Sequence, residues 1–435
     1  MIDMPPKYAP NLIKRIFASG AIGNILETYD LILISLMATT LSKVFFPPSA
    51  NPYAHVTDVL YVFLVGLLIR PIGNIIMGIL ADAIGRKKLM IISLACTGIG
   101  TMLIGLLPSY AYVGIWSTIL FVALRIWINF FAGIEYINSA SYLIESSPPN
   151  SRGFYGSWTA IGISGGYLLA SLVSLTVSQL ISINVLPDWG WRFIFLFSFI
   201  GILFGLWLRY SIPESFVFIM NKVTNIETKK WSILKNSINY IKNHPSQILS
   251  ISALTLMGTF LSFIYYIYIP INLITNRGFT HNQVFTLNVI SLSLIVILIP
   301  IFGKLSDLFN RIKLLRLVCL CISILSLPFF LVAVYGDFFQ ILISTLIISI
   351  PSACFFSLYP LIITESFPSK IRCTTASLIY QIVVSVEMGT LPLLVNYITR
   401  VTMIPYSPGY LLIISTIIGF LGLSFFKPAN HNTES

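Results

Sequence analysis

Apolar residues in this 435-residue chain come in long runs, with polar positions gathered between them. An α-helix needs roughly 20 apolar residues to cross the hydrocarbon core of a bilayer. Cut at Pro, Gly and clusters of charge, the chain yields twelve runs of about that length. They fall near 17–43, 58–80, 89–107, 112–144, 155–183, 191–211, 248–272, 283–303, 314–334, 338–364, 372–398 and 407–427. The long polar connection 213–247, rich in Lys, Asn and Thr, separates six runs from six. The pattern predicts an all-α integral membrane protein with twelve transmembrane helices in two six-helix bundles. The N-terminal bundle covers 1–212, a cytoplasmic central loop 213–247, and the C-terminal bundle 248–435. Within the loop, Trp231–Lys242 is amphipathic and reads equally as a helix on the inner leaflet or as a solvated linker.

Composition agrees. Soluble domains are about 25% charged and about 45–50% apolar; here 9% is charged and 56% hydrophobic, too little charge to cover a water-facing surface. The net charge of +11 reports topology, because blocks such as Arg86-Lys87-Lys88 and Lys229-Lys230 lie in connections between runs. With the N-terminus inside, twenty of the 26 Lys and Arg fall on the cytoplasmic side. Lys43, Arg192, Arg277 and Arg400 face the other way, and Arg70 and Arg125 lie within runs. That bias is the positive-inside signature, so both termini are expected in the cytoplasm and the protein in the cell inner (plasma) membrane, with no nucleic-acid partner. No small-residue cleavage site follows a short apolar core, so no removable signal peptide is expected. The five cysteines, odd in number and mostly within runs, suggest free thiols packed between helices. No Walker loop, metal-ligand spacing or G-x-S-x-G elbow is present, so no enzyme activity, cofactor or metal is expected.

Two charged stretches repeat. Gly78-Ile-Leu-Ala-Asp82-Ala-Ile-Gly85-Arg86 follows run 2, and Gly303-Lys-Leu-Ser-Asp307-Leu-Phe-Asn310-Arg311 follows run 8. Glu145-Ser-Ser-Pro148-Pro-Asn-Ser-Arg152 after run 4 matches Glu365-Ser-Phe-Pro368-Ser-Lys-Ile-Arg372 after run 10. Their offsets, 225 and 220 residues, indicate two related halves, the parallel-repeat plan of many secondary transporters. Anchoring a helix needs bases but no fixed acid. The repeated Gly-Asp-Arg pattern therefore reads as a cytoplasmic latch whose ion pairs form in one conformation and part in another.

Charges inside a membrane helix cost about 2.5–3.5 kcal/mol each on insertion scales and usually mark function or a buried pair. Glu27 and Asp30 lie near the middle of run 1, three residues apart on one face; Arg70 and Arg125 have similar depth in runs 2 and 4. Glu135 lies nearer the cytoplasmic end of run 4, and Glu387 is central in run 11. Glu27, Asp30 and Glu135 are proton-site candidates, with Asp30 foremost. Arg70 and Arg125 are counter-ions or anchors for a substrate carboxylate. Glu387 reads evenly as packing or function. Tyr29, Tyr136, Trp158, Tyr265, Tyr266, Tyr380 and Gln381 are candidates for a cavity lining.

The stretch GILADAIGRKK resembles the G-x-x-x-D-x-x-G-R-K signature of the major facilitator superfamily. More narrowly, the chain resembles its metabolite:proton symporters, which carry proline and betaine, 2-oxoglutarate, shikimate and citrate. Gly23-Asn-Ile-Leu-Glu27-Thr-Tyr29-Asp30 is similar to G-N-x-L-E-W-Y-D, Arg70-Pro71-Ile-Gly73 to R-P-x-G, and Arg125 with Gly133-Ile-Glu135 to R…G-G-E. Trp189-Gly190-Trp191-Arg192, Pro213-Glu214 and Tyr359-Pro360 follow in the same order. Thr28, Ile128-Asn129, Ile134, Gln381 and Glu387 depart from the pattern where substrate should lie. The resemblance implies a proton-coupled secondary active transporter, a symporter of a small organic solute working by alternating access. Its expected partners are that solute, protons and lipid, and it is expected to be a monomer. An exporter (antiporter) of a metabolite or siderophore shares these features, and a non-transporting membrane sensor is the reading from another class.

Overall fold

The computed structural model describes residues 10–47, 52–214, 219, 230–369 and 371–426. Lys7, Lys222, Lys229, Lys370 and Lys427, both chain ends and much of the connection 213–247 lie outside the described residues.

Helices dominate because every backbone N–H and C=O inside a bilayer must find its partner within the chain. The N-terminal half holds α1 (Pro10–Leu36), α2 (Ala38–Phe45), α3 (Pro52–Ile84), α4 (Arg86–Leu106), the short α5 (Tyr110–Val113), α6 (Ile115–Phe131), α7 (Ile134–Glu145), α8 (Arg152–Ser182) and α9 (Arg192–Tyr210). In the connection lies α10 (Lys230–Asn243), which packs on α3, α11 and α16. The C-terminal half holds α11 (Pro245–Phe263), a π-helical turn (Ile264–Tyr268), α12 (Ile269–Thr275), α13 (His281–Leu308), α14 (Arg311–Tyr335), α15 (Phe338–Glu365), α16 (Arg372–Thr402) and α17 (Pro408–Gly422). Among the described residues, ten helical stretches are long and apolar enough to cross a membrane. Helix α3 and the shorter apolar α17 complete a twelve-helix architecture.

Three expected spans are not single helices. Run 1 ends with α1 at Leu36 and resumes as α2 after Met37. Run 4 breaks after Phe131: Ala132 is extended, and Gly133 takes a left-handed conformation at φ +92° before α7 begins. Only a residue without Cβ adopts that backbone at no steric cost. Run 7 widens into the π-turn because Pro270 has no N–H to offer the carbonyl of Tyr266, four residues back.

The burial pattern is the reverse of a soluble protein's. Leu68, Ile297, Ile324 and Trp207 are mostly exposed on the outer, lipid-facing surface, whereas Asn74, Asn138, Ser157 and Thr374 are buried between helices. Small residues permit close crossings where hydrophobic burial supplies no drive between helices. The halves meet where α8 packs on α13 and α3 packs on α16. At the first crossing Gly153 faces Gly303, and a Cβ on Gly303 would come within 2.6 Å of Ser157 Oγ and 2.9 Å of the Gly153 carbonyl. We expect Gly303→Leu to cost about 1–3 kcal/mol through overpacking, read as a lower thermal midpoint of purified protein. Ile297→Leu on the lipid face should leave that midpoint unchanged; equal midpoints for both variants would mean the crossing is not tightly packed.

Candidate functional site

Between the halves lies a cavity of about 160 Å³. Asn24, Glu27 and Thr28 of α1, Arg70 of α3, Gly133, and Ser164 and Tyr167 of α8 line one side. Thr259 and Ser262 of α11, Tyr266 of the π-turn, Tyr359 of α15, and Tyr380 and Gln381 of α16 line the other, with Tyr136 of α7 between them. One wall is closed by an aromatic contact across the halves: Tyr167 stacks on Tyr266 with centroids 3.7 Å apart.

The break in run 4 builds the centre of this site. The Gly133 N–H donates to Glu27 Oε1 at 2.5 Å, and the Gly133 carbonyl accepts from Gln381 Nε2 at 2.9 Å. The half-helix α7 thus directs its N-terminus, the positive end of its dipole, at a carboxylate. Arg70 donates through Nε to Asn129 Oδ1 at 2.8 Å, and Asn129 Nδ2 donates to the Arg125 carbonyl at 2.8 Å. Glu27 and Arg70 face the same cavity, yet neither joins the ion pairs found among the described residues.

Glu135 is held differently. It is buried, accepts from Ser93 Oγ at 2.9 Å and forms an ion pair with Arg209, which also donates to the Met90 carbonyl. Arg209 stands among the expected cytoplasmic bases but is only 1% exposed. A base at the end of an apolar run ordinarily snorkels outward; here the Glu135 carboxylate draws it in. Gly23 makes the room, since a Cβ there would clash with the Arg209 guanidinium and come within 2.6 Å of Glu135 Oε1.

Several sequence candidates lie elsewhere. Asp30 does not share the cavity with Glu27: it turns toward α9, where Ser198 donates to it at 2.5 Å. Tyr29 is buried in the N-terminal core and donates to the Ile194 carbonyl at 2.6 Å. Trp158 packs beside Phe17 and Tyr142, and Tyr265 points into the C-terminal core, where Ser352 Oγ lies 3.4 Å from its hydroxyl. Arg125 is buried behind Asn129, off the cavity surface. Glu387 sits just behind the wall, flanked by Thr259 and Tyr359. Tyr136, Tyr266, Tyr380 and Gln381 do line the cavity. The residues missed in sequence, Arg209, Ser93 and Tyr167, have no local signature; their partners are remote in the chain.

At the end of the bundle that carries α10, the repeated motifs form two crossed networks. Asp82, at the end of α3, pairs with Arg86 and accepts from the Thr374 N–H at 2.9 Å and the Thr374 hydroxyl at 2.6 Å, at the start of α16. Arg86 and Arg372 converge on Glu145 Oε1, at 3.6 and 3.2 Å. In the second network, Asp307 at the end of α13 accepts from the Gly153 N–H at 2.7 Å and the Phe154 N–H at 2.9 Å, at the start of α8. Arg311 pairs with Glu365 at 2.5 Å and lies 3.5 Å from Asp307, while Arg152 lies 4.0 Å from Glu365. Neither α8 nor α16 has a side-chain cap of its own at its N-cap residue. An aspartate from the opposite half caps each one. Gly78, Gly85 and Gly303 serve this geometry: Gly78 lies against Thr374 and Gly85 turns the chain at φ +112°.

Residues 17–237 match the family described as Sugar (and other) transporter. The chain belongs to that family. Among its relatives, a proline/betaine transporter of Salmonella typhimurium is 28% identical over 425 residues, covering 96% of this chain and 84% of the relative. A glycine betaine/proline/ectoine/pipecolic acid transporter of Dickeya dadantii is 28% identical over 420 residues, covering 95% and 83%. The solved structure of the proton:xylose symporter XylE bound to 6-bromo-6-deoxy-D-glucose superposes with a TM-score of 0.75 at 18% identity, covering 96% of each chain. This transporter therefore has the major facilitator fold, and it is not an enzyme.

The crossed caps give a direct prediction. A helix cap is worth about 1 kcal/mol, so Asp82→Ala should raise the open-to-closed ratio at this end about fivefold. Cys373, fully buried beside Thr374, is a native reporter. Its alkylation, followed by mass spectrometry, should accelerate by about that factor; an unchanged rate would show that the Asp82 cap does not hold this end shut.

Proposed function

We propose that this transporter is a proton-coupled symporter of a small zwitterionic solute in the inner (plasma) membrane, with the end bearing α10 and both termini in the cytoplasm. The crossed networks then form a cytoplasmic gate, and the two bundles rock about the cavity. The orientation is supported by the bias of Lys and Arg toward the connections on that side. The small-solute reading is supported by the proline/betaine relatives and by the size of the cavity. At roughly 30 Å³ per liquid water, 160 Å³ holds a compact solute on the scale of an amino acid.

The observation that carries the proposal is the facing pair Glu27 and Arg70. Arg70 supplies a planar cation for a solute carboxylate. Glu27 sits at the helix break, bonded to Gly133, whose carbonyl is held by Gln381 of the opposite half. A proton arriving on Glu27 removes the negative charge that the α7 N-terminus stabilises. It thereby loosens a contact chain running from one bundle to the other. Solute on Arg70 and proton on Glu27 act on one junction, which is the requirement for coupled movement.

We assign the proton role to Glu27 rather than to Asp30. Asp30 is enclosed by α1, α4 and α9 and does not line the cavity, so its exchange with bulk protons would require the N-terminal bundle itself to open. In proteoliposomes, Glu27→Gln should abolish accumulation driven by a proton gradient while keeping solute counterflow. Asp30→Asn should keep both, because an amide can still accept from Ser198. Gradient-driven accumulation by Glu27→Gln, or its selective loss in Asp30→Asn, would return the role to Asp30.

A further inference from the structure

The C-terminal side of the cavity holds polar atoms that the protein leaves without partners. Glu387 is 8% exposed, and neither carboxylate oxygen has a hydrogen-bond partner among the described residues. Thr259 lies beside it, but its hydroxyl already donates to the Thr255 carbonyl at 2.9 Å. Gln381 spends its amide N–H on Gly133, and its Oε1 is also buried and unpartnered. The hydroxyls of Tyr266 and Tyr359 complete the set. Buried polar groups are nearly always bonded, so a cluster of orphans lining one cavity wall and lying just behind it calls for a ligand.

The chemistry of the orphans narrows that ligand. Three of the unpartnered atoms, the two Glu387 oxygens and Gln381 Oε1, are acceptors, so the missing partner is a donor. A carboxylate in this setting favours a cation. Three rings stand around the same region: Tyr136 and Tyr380 with centroids 5.1 Å apart, Tyr359 and Tyr380 at 6.4 Å, and Tyr136 and Tyr359 at 6.5 Å. Aromatic faces attract cations of any substitution. A carboxylate attracts any cation by charge, but a hydrogen bond to it or to Gln381 Oε1 needs an N–H, which a fully methylated ammonium lacks. Glu387 follows Val384 by three residues on α16 and precedes Met388 by one. Both neighbours line the cavity, so a rotation of its side chain past Thr259 brings it to the solute.

We infer that Glu387, with Gln381 Oε1, forms the cation subsite of this transporter and selects solutes whose ammonium group carries N–H over fully methylated ones. The inference rests on the reading of Arg70 as the carboxylate anchor. The carboxylate then lies toward α3 and the ammonium toward α11 and α16, so that one solute bridges the two bundles.

The test is binding to the purified full-length protein, by calorimetry, of glycine, N-methylglycine, N,N-dimethylglycine and N,N,N-trimethylglycine, with acetate as a probe lacking the cation. A hydrogen bond to a charged group contributes enough that removing the last N–H should weaken binding at least about tenfold. Glu387→Gln should flatten the series to within about threefold, and Gln381→Ala should flatten it in part. Trimethylglycine binding as tightly as N-methylglycine, or an unchanged order in Glu387→Gln, overturns the subsite. If Glu387→Gln does not fold, the wild-type order decides alone. Should acetate and every amine bind equally and lose binding in Arg70→Gln, the anchor reading stands and this one falls. Binding by none of the five removes both.

Discussion

A charge taken out of water must be met by an opposite charge or by several hydrogen bonds, and the rest of this structure is arranged around that constraint. Glu135 pairs with Arg209 and bonds Ser93 inside the N-terminal bundle; Asp30 is bonded by Ser198. These groups are enclosed within one bundle and stay fixed when bundles rock. Asp82 and Asp307 are bonded across the two bundles, and Glu27 reaches the opposite bundle through Gly133 and Gln381. Their partners are lost when the halves separate. The same constraint therefore divides the ionisable groups into a permanent scaffold and a set whose partners change with conformation.

In the proposed gate, a duplicated motif would yield a switch. In each half an aspartate at the end of one helix caps a helix of the other half, and an arginine four residues later ties it to a glutamate. Each contribution is small, about 1 kcal/mol for a cap, and that suits a carrier. In the proposed cycle, two such networks hold one end shut without making it irreversible, and solute and proton binding supply differential energies of comparable size. The networks are not equivalent. The Asp82–Arg86–Glu145 side chains are nearly dry, whereas Arg311 and Glu365 are about a quarter exposed, so the first carries more of the closure.

The membrane class, the twelve spans and the duplicated motifs were legible because each rests on local sequence: a run long enough to cross a bilayer, or a fixed spacing of Gly, Asp and Arg. What was not legible depends on partners far away in the chain. The break at Gly133 is held by Glu27 and Gln381, on helices more than 100 residues off in either direction. Arg209 reads as a surface anchor until the room left by Gly23 and the charge of Glu135 are seen together. Asp30 follows Glu27 by three residues, and about 60° of helical rotation is enough to send one carboxylate against α9 and the other into the cavity. Even the repeats differ at the turn: Gly85 takes a positive φ where Asn310 instead caps α14 with its side chain, bonding the N–H groups of Ile312 and Lys313.

In the proposed cycle, proton and solute meet at one junction, through Glu27. The most direct measurement is proton uptake on solute binding by the purified protein in weakly buffered solution, followed with a pH-sensitive dye. A saturating solute should draw protons from solution in wild type and in Asp30→Asn, whereas Glu27→Gln should bind solute with no proton uptake. Undiminished uptake in Glu27→Gln would contradict it.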